Sequence, residues 1–487
     1  MKRFKMNLAV RITAGWPALG VAALLSTSCP AFAETSIAAQ AGPQFDFGLS
    51  AGFSTMSMGN THFGLGQLGA NLSNDIARSE GYLAPRANMV WETGSSGTIY
   101  GGLRAVGSIT RGDGDSWGLT VGQHWQWNGL NPNLQLLNPG VVGKNMSYAS
   151  LDSAYLGWKS GDKFPALGKD GLDVSLGPQN FQLGDGMVLA DGNDEANQHK
   201  GIYWLDPRQA WKNTAIARIG SAPYRVELFA LKSDTDSMND TILGGNFELQ
   251  SDKLGKVGLS YFEVNKSDVL QRKGMTVTGL HGRGHPLAAL PTLELAGEVD
   301  RQKNGTVNLD AQAWFIEASY FMPSLPWYPT LGYRYASFSG DKAGTPSKNE
   351  GWDYLHNGST PRGFGYWYQG IVTGTYETRL SNLDTHFVNL TLVPPIQGSW
   401  LKVLYYDHRF DQASTARLID NGPVTSNKFA TEWNLILGYS PTKKVDYMAI
   451  YGIATPGQGG KERYTGISAN KGIKSATMLQ FTMLVHF

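Results

Sequence analysis

Apolar and polar side chains alternate along most of this chain, in short stretches separated by turns rich in glycine and proline. The last stretch shows this most clearly, because every second residue back from the carboxyl terminus is apolar: Leu479, Phe481, Met483, Val485 and Phe487. The residues between them are more polar, although Met478 and Leu484 interrupt the polar face. Strand side chains point alternately to two faces, so such a strand can meet lipid on one side and a wetter interior on the other. The pattern predicts membrane-spanning strands, with a soluble β-sandwich as the alternative.

Read backward from Phe487, the alternation gives eighteen strand candidates whose lengths suit a membrane crossing. They are residues 44–57, 82–93, 98–110, 150–160, 171–183, 213–220, 223–233, 240–250, 254–264, 274–282, 290–300, 309–322, 328–340, 384–393, 398–411, 427–440, 443–455 and 474–487. A single-chain bacterial barrel has an even number of strands, which brings both termini to the periplasmic side. The predicted fold class is therefore all-β, a transmembrane antiparallel β-barrel of about 18 strands.

Strand parity places two long connections, residues 111–149 and 341–383, outside the membrane, although each contains a strand-like stretch. Long loops in a compact structure are usually functional, so we expect both to fold into the lumen and constrict it. The second loop carries the constriction candidates Trp352, Tyr354, Tyr366, Trp367, Tyr368 and Gln369. Aromatic faces suit sugar rings, aromatic acids or other amphipathic solutes. The alternatives are a surface hairpin without a gating role and aromatic side chains that anchor in the membrane interface.

The amino terminus has the features of a secretory signal. A basic start is followed by the apolar residues 18–25 and by the small-residue cleavage site Ala31-Phe32-Ala33. We expect residues 1–33 to be cleaved and residues 34–487 to form the barrel. The single cysteine, Cys29, lies in the removed segment, which excludes disulfides, thiolate catalysis and a zinc–cysteine site in the mature chain. No later run of about 18 apolar residues exists, so a transmembrane helix and an inner-membrane protein are not expected.

Composition agrees with a barrel. The chain has 60 glycines, 11% aromatic residues and only 17% charged residues, a mixture typical of aromatic-girdled strands. The net charge of +1 argues against a nucleic-acid partner. The expected partners are outer-membrane lipid and lipopolysaccharide, the outer-membrane assembly machinery, which reads the terminal aromatic residue of bacterial barrels, and a hydrophilic solute. No cofactor is expected.

Alternation also sorts the charged strand residues by face. The predicted inward cations are Arg86, Arg104, Arg218, Arg225, Arg334 and Lys402. The predicted inward carboxylates are Glu227, Glu248, Glu294, Glu298, Glu317 and Glu432. Because the two sets are equal in number, no large net field is expected, whereas a pore for a polyanion needs an excess of arginine. For any one of these residues, a structural salt bridge across the lumen is an equally good interpretation.

Catalytic and metal sites are weakly indicated. The scattered histidines form no short serine-containing motif of a hydrolase, so no catalytic residue is assigned and no enzyme is predicted. The cluster Asp191, Asn193, Asp194 and Glu195 could bind calcium through oxygen ligands. Ala196 stands where a helical calcium loop requires glycine, so a solvated external loop without a metal is the preferred interpretation.

Three sequence runs resemble the alginate-export family of outer-membrane channels. They are residues 176–186 (LGPQNFQLGDG), residues 349–353 (NEGWD) with 367–370 and 381–383, and residues 404–411 (LYYDHRFD). With the strand order, the resemblance covers nearly the whole mature chain and implies a monomeric channel. Two features depart from the family: Pro178 replaces an arginine, and the turn 440–444 is short where the alginate exporter has a long plug-like loop.

Together these features predict a passive, selective outer-membrane channel for hydrophilic solutes. An export channel for an anionic exopolysaccharide such as alginate is the alternative, and an outer-membrane hydrolase or a structural barrel is the alternative of another class. A TonB-gated receptor would need about 22 strands and a plug domain. Residues 34–43 are too few to form that plug.

Overall fold

The computed structural model describes residues 42–64, 75–113, 145–193, 204–235, 238–251, 255–358, 369–378, 380–416, 424–465 and 472–487. Eighteen antiparallel strands form one sheet, which closes into a barrel because the first strand pairs with both the second and the last. This confirms the predicted fold class. The predicted signal peptide and the strand-like residues 117–127 lie outside the described residues.

The strands are β1 (Gln44–Gly59), β2 (Ile76–Glu92), β3 (Thr98–Gly112), β4 (Ser147–Lys159), β5 (Leu172–Leu176), β6 (Asn213–Ile219), β7 (Tyr224–Lys232), β8 (Thr241–Ser251), β9 (Gly255–Lys266), β10 (Thr276–Gly284), β11 (Leu293–Asn304), β12 (Leu309–Phe321), β13 (Thr330–Phe338), β14 (Leu383–Leu392), β15 (Ser399–Arg409), β16 (Lys428–Thr442), β17 (Val445–Pro456) and β18 (Ala476–His486).

Helical elements are short. An α-helix, α1 (Gln458–Thr465), and a π-helix (Gly370–Glu377) lie in the connections. Single 3₁₀ turns occur at Thr61–Gly64, Gly94–Ser96, Pro165–Leu167, Gly305–Val307 and Ala413–Thr415. In the described part of the chain, no helix is long and apolar enough to cross a membrane.

The closing strand has the two faces that its sequence predicts. Leu479 and Phe481 remain 60% and 43% exposed on the outer face, where lipid would contact them. On the inner face, Gln480 Nε2 donates to Ser54 Oγ at 3.0 Å. Phe487 completes the seam, since its backbone N–H donates to the Leu49 carbonyl at 2.8 Å and its own carbonyl accepts from Leu49 at 3.2 Å.

The barrel interior differs between its two ends. At one end, the terminus end, the first described residues and Phe487 lie beside short turns, and at the other, the loop end, the long connections emerge. Near the loop end, many inward-facing strand residues are apolar and buried, among them Met58, Phe338 and Met478. They form one core with residues of the connections such as Phe63 and Tyr464. The expectation of a wet interior is therefore wrong for this half, because inward-folded connections cover the wall.

The predicted strand 171–183 is also too long. Strand β5 ends at Leu176, and Gly177 adopts a φ of +113° that breaks the regular ladder, although the Ala154 N–H still donates to the Pro178 carbonyl at 2.9 Å. A Cβ atom on Gly177 would lie 2.3 Å from the Ala154 carbonyl oxygen, so only glycine fits this turn. Beyond it, Gln179 forms an isolated antiparallel bridge with Trp211, two residues before β6. Most of the sequence run 176–186 thus belongs to an internal connection.

Candidate functional site in the barrel interior

The twelve charged residues predicted to face inward all lie on the inner face of the wall, in alternation with outward neighbours. Their surroundings differ. The side chain of Arg86, near the terminus end, is 43% exposed and lies 3.8 Å from Asp46. By contrast, Arg334 and Glu432 are buried beneath the connections. The inner face therefore has an open part near the terminus end and a covered part near the loop end.

Inward arginines are paired with carboxylates. Arg218 Nε donates to Glu227 Oε1 at 2.7 Å, and Arg225 Nη2 lies 3.7 Å from the same carboxylate oxygen. Arg104 Nη1 donates to Asp152 Oδ2 at 2.6 Å. On the adjoining wall, Lys256 Nζ lies 3.7 Å from Glu248 Oε1. These pairs neutralise the strand cations locally.

Sequence reasoning missed several of the partners. Asp152 was not assigned to the inner face, because a register shift between Arg104 and Ala105 interrupts the simple alternation along β3 and β4. Arg283, on the inner face of β10, donates to Asp185 Oδ1 at 2.6 Å. Since Asp185 lies on the internal connection after β5, strand periodicity could not reveal this pair.

The β13–β14 connection enters the barrel. Residues 349–358 run through the interior, where His356 forms a parallel bridge with Leu189 of the β5–β6 connection. The constriction candidates Trp352 and Tyr354 lie inside the barrel, but both are buried in the apolar core. Gln369 is also buried, and its Oε1 accepts from Arg334 Nη2 at 3.2 Å. The candidates Tyr366, Trp367 and Tyr368 lie outside the described residues.

A buried cluster, formed by Arg272, Asp240, Asp353 and His356, attaches this connection to its neighbours. Arg272 makes two bonds to Asp353, with Nε–Oδ2 at 2.9 Å and Nη2–Oδ1 at 2.8 Å. Its Nη1 donates to Asp240 Oδ2 at 2.8 Å, and His356 Nε2 lies 2.9 Å from the same oxygen.

The charges of this cluster stabilise one another. Burial alone would lower the pKa of Arg272, but Asp353 and Asp240 hold it well above its ordinary value. Burial would likewise raise the pKa of Asp240, yet Arg272 and His356 hold it below its ordinary value. Arg272 and Asp240 are therefore both charged at neutral pH.

The π-helix provides a second attachment. Glu432 of β16 accepts the backbone N–H groups of Val372 at 3.0 Å and Thr373 at 2.7 Å. Gly370, with a φ of +99°, allows this close approach, because a Cβ atom there would lie 2.5 Å from Glu432 Oε2. At the other end of the π-helix, Glu377 Oε2 accepts from Tyr464 Oη at 2.8 Å. The connection is thus fixed to the wall at several points.

An open cavity lies between the inner wall and residues 204–209 of the β5–β6 connection, with about 850 Å³ of empty space including the solvent into which it opens. Its wall residues come from the terminus-end parts of β15 to β18 and from the middle of β2 to β4. Aromatic side chains line it from both sides: Tyr82 and Trp400 from the wall, and Trp204 from residues 204–209. We call residues 204–209 the roof of this cavity.

The charges that line the cavity are engaged. The lining includes one arginine, Arg104, and three carboxylates, Asp152, Asp206 and Asp446. Besides its bond to Asp152, Arg104 Nη1 donates to the Pro207 carbonyl at 2.5 Å. Asp446 accepts from Ser440 Oγ. Of the cavity lining, only Arg104 belongs to the sequence-predicted candidates, because most of the other residues are uncharged or lie in connections.

The weak calcium candidates are not arranged as a solvated loop. Asp191 and Asn193 are buried, and Asp191 Oδ1 accepts the Asn193 N–H at 2.8 Å. Burial raises the pKa of Asp191. Asp194 and Glu195 lie outside the described residues. Among the residues that are described, no group of three or more histidine, cysteine, aspartate or glutamate side chains could hold a metal ion.

Comparison with known proteins points to one family. The family model for alginate export matches residues 140–434, more than half of the chain. No curated protein matches the chain in sequence.

Solved structures share the fold. Pseudomonas aeruginosa OccK5 (OpdH) is 10% identical with a TM-score of 0.53, over 91% of this chain and 98% of that one. Acinetobacter baumannii OccAB2 is 10% identical with a TM-score of 0.52, again over 91% of this chain and 98% of that one. Pseudomonas aeruginosa OpdL is 13% identical with a TM-score of 0.51 over the same shares.

Proposed function

Since the chain belongs to the alginate-export family and is an outer-membrane channel for solute or alginate passage, we propose that it lets hydrophilic solutes of small or medium size diffuse passively and selectively. Channels of this family are not enzymes, and we extend this to the present chain. Diffusion then follows the solute gradient. The cavity beneath the roof lies on the proposed path.

The observation that carries the proposal is that three inward arginines are paired with carboxylates. Arg104, Arg218 and Arg225 each lie within 3.7 Å of an inward carboxylate. The cavity lining itself has more carboxylates than cations. A polyanion needs a wall with excess positive charge, so this balance favours other hydrophilic solutes over alginate. Fixed connections inside the barrel favour a narrow, selective path over a general pore.

Orientation and assembly complete the proposal. The terminus end faces the periplasm, and residues 1–33 are a cleaved signal peptide. The assembly machinery recognises the strand that ends at Phe487. Lipid and lipopolysaccharide surround a monomer that needs no cofactor. The twelve inward charges and the internal aromatic residues act as structural or selectivity elements of the path, without catalysis.

Reversal potentials of single channels in a salt gradient test the proposal. We expect weak ion selectivity with a slight preference for cations. An Asp152→Asn variant should shift the reversal potential toward anions, because Arg104 loses its carboxylate partner at 2.6 Å. Asp310→Asn is the control, since Asp310 pairs with Arg301 on the outer face. Strong anion selectivity of the unmodified protein would instead support export of a polyanion, and a lack of conductance would refute a channel.

A further inference from the structure

We propose that the cavity beneath the roof is a binding site for an uncharged sugar unit, so that the channel prefers neutral mono- or disaccharides. The inference rests on the proposed function, because it names the solute class of that channel. Its basis is the combination of aromatic faces, amide groups and charges that already have protein partners around one cavity.

Aromatic side chains provide the apolar surfaces. Trp400, near the start of β15, lies directly over Gly438 of the neighbouring strand, where a Cβ atom would come within 2.0 Å of Trp400 Cε2. The glycine therefore lets the indole lie close to the wall. Trp204 contributes a second indole from the roof. The C–H faces of a sugar ring are apolar, so such indoles can pack against them while the hydroxyl groups stay free to form hydrogen bonds.

The polar groups of the lining suit hydroxyl groups better than charges. Asn180 and Gln209 supply amide donors and acceptors. Asp152 is already paired with Arg104, and Asp446 already accepts from Ser440. Such carboxylates keep free lone pairs that can accept from sugar hydroxyls without losing their partners.

Charged solutes fit this cavity less well. A uronate or another carboxylate would meet three like charges in the lining, and the only lining arginine is already bound to a carboxylate and a carbonyl. Such juxtaposition of like charges opposes binding. An ammonium group would compete with Arg104 for Asp152 and with Ser440 for Asp446. A further cation, Lys402, lies near the site, with Nζ 5.5 Å from the Trp400 ring centroid.

The roof is held in position from two sides. Glu80 Oε2 accepts the N–H groups of Trp204 at 2.9 Å and Leu205 at 3.2 Å. From the opposite side, Arg104 Nη1 binds the Pro207 carbonyl at 2.5 Å. The site is therefore formed before a solute enters, which reduces the ordering that binding requires.

Current block in planar bilayers can test the site with three probes of similar size: glucose, glucuronate and glucosamine. We expect glucose to block single-channel current at concentrations about tenfold lower than either charged sugar. Trp400→Ala should weaken the glucose block by about three- to tenfold while ion conductance persists. Gly438→Ala should also weaken the glucose block, because the added methyl group displaces the Trp400 indole while the tryptophan itself is kept. Trp433→Ala is the control, since this indole is 53% exposed on the outer face of β16.

The outcomes separate the two proposals. If glucuronate or glucosamine blocks more strongly than glucose, the sugar-site inference is overturned, whereas the proposed channel function is not affected. The same holds if no sugar blocks a conducting channel, or if Trp400→Ala and Trp433→Ala behave alike. If the unmodified protein does not conduct, the proposed function itself fails. Should Trp400→Ala fail to assemble, Trp400→Phe, which keeps a smaller aromatic face, should show an intermediate block.

Discussion

Replacing Arg272 with glutamine should release the inward-folded residues 349–358 from the barrel wall. Arg272 is fully buried and binds Asp353 through two nitrogens and Asp240 through a third. These contacts join the β9–β10 connection, the residue before β8 and the β13–β14 connection. Because all three elements lie at the loop end, the substitution should change the internal connection while the strand ladders remain.

The free-energy cost of Arg272→Gln follows from the two carboxylates that lose their partner. Removing one partner of a buried ion pair costs about 3–5 kcal/mol, because the other charge stays buried without compensation. In Arg272→Gln, both Asp240 and Asp353 would be buried carboxylates without a compensating positive charge. If the connection detaches to hydrate them, a change of about 3 kcal/mol raises the detached population by roughly 100-fold. We therefore expect larger and noisier single-channel currents and faster backbone hydrogen exchange in residues 349–358.

Arg301→Gln is the matched control. Arg301 makes the same type of two-nitrogen contact with Asp310, at 2.7 and 2.9 Å, but its side chain is 56% exposed on the outer face. Solvent replaces such contacts, so neither current nor exchange should change measurably. Equal behaviour of the two variants would show that burial does not decide the strength of the Arg272 contacts. Adding Asp240→Asn and Asp353→Asn to Arg272→Gln should restore much of the attachment, because no buried charge then remains.

The pH dependence of hydrogen exchange gives an independent check on the same cluster. Burial would raise the pKa of Asp240, but Arg272 and His356 hold it below its ordinary value. A carboxyl group with a lowered pKa contributes stability above its unfolded pKa of about 4 and loses that contribution as the pH falls through its folded pKa. After correction for the intrinsic pH dependence of amide exchange, the opening of residues 349–358 should therefore stay constant between about pH 7 and pH 5. A marked increase within that range would contradict the assignment.

Three further predictions concern other attachments. Glu432→Ala should raise conductance more than Glu432→Gln, because only glutamine keeps an oxygen that can accept from the π-helix N–H groups. Burial raises the pKa of Asp191, so its contribution to stability is present below its ordinary pKa and lost as the pH rises through the folded value. After correction for intrinsic exchange, residues 189–193 should lose protection between acidic and neutral pH, and Asp191→Asn should remove that loss. Deleting Phe487 should reduce the heat-modifiable fraction on gels, because the seam loses both backbone bonds to Leu49.

The strands could be predicted because lipid imposes a strict rule on one face. Residues 474–487 were expected to close the barrel, and the observed strand is Ala476–His486. The twelve inward charges follow from the same alternation. No comparable rule governs the inner face, where a polar or an apolar residue is acceptable depending on what covers it. Met478 appeared as a defect in the polar face, yet it is buried against inward-folded connections.

The cavity and the Arg272 cluster could not be derived from the sequence, because their members are distant along the chain and mostly lie in connections. Trp204 and Trp400 are 196 positions apart. Asp353 meets Arg272 across 81 positions. Even Asp152, on a strand, escaped assignment because of the register shift beside Arg104. Sequence periodicity predicts on which face of the sheet a residue lies. Which distant residue it contacts is seen only in the folded structure.

The apolar half of the interior determines how the connections can behave. Inner-face residues such as Met58 and Phe338 are buried only because residues such as Trp352 and Tyr464 cover them. Burying one large apolar side chain stabilises a structure by about 1.5–3 kcal/mol, so lifting an entire connection would expose several such side chains at once. The connections are therefore part of the barrel core. On the proposed function, selectivity depends on fixed surfaces such as the cavity beneath the roof, and single-residue changes in that lining should alter solute preference without opening the barrel.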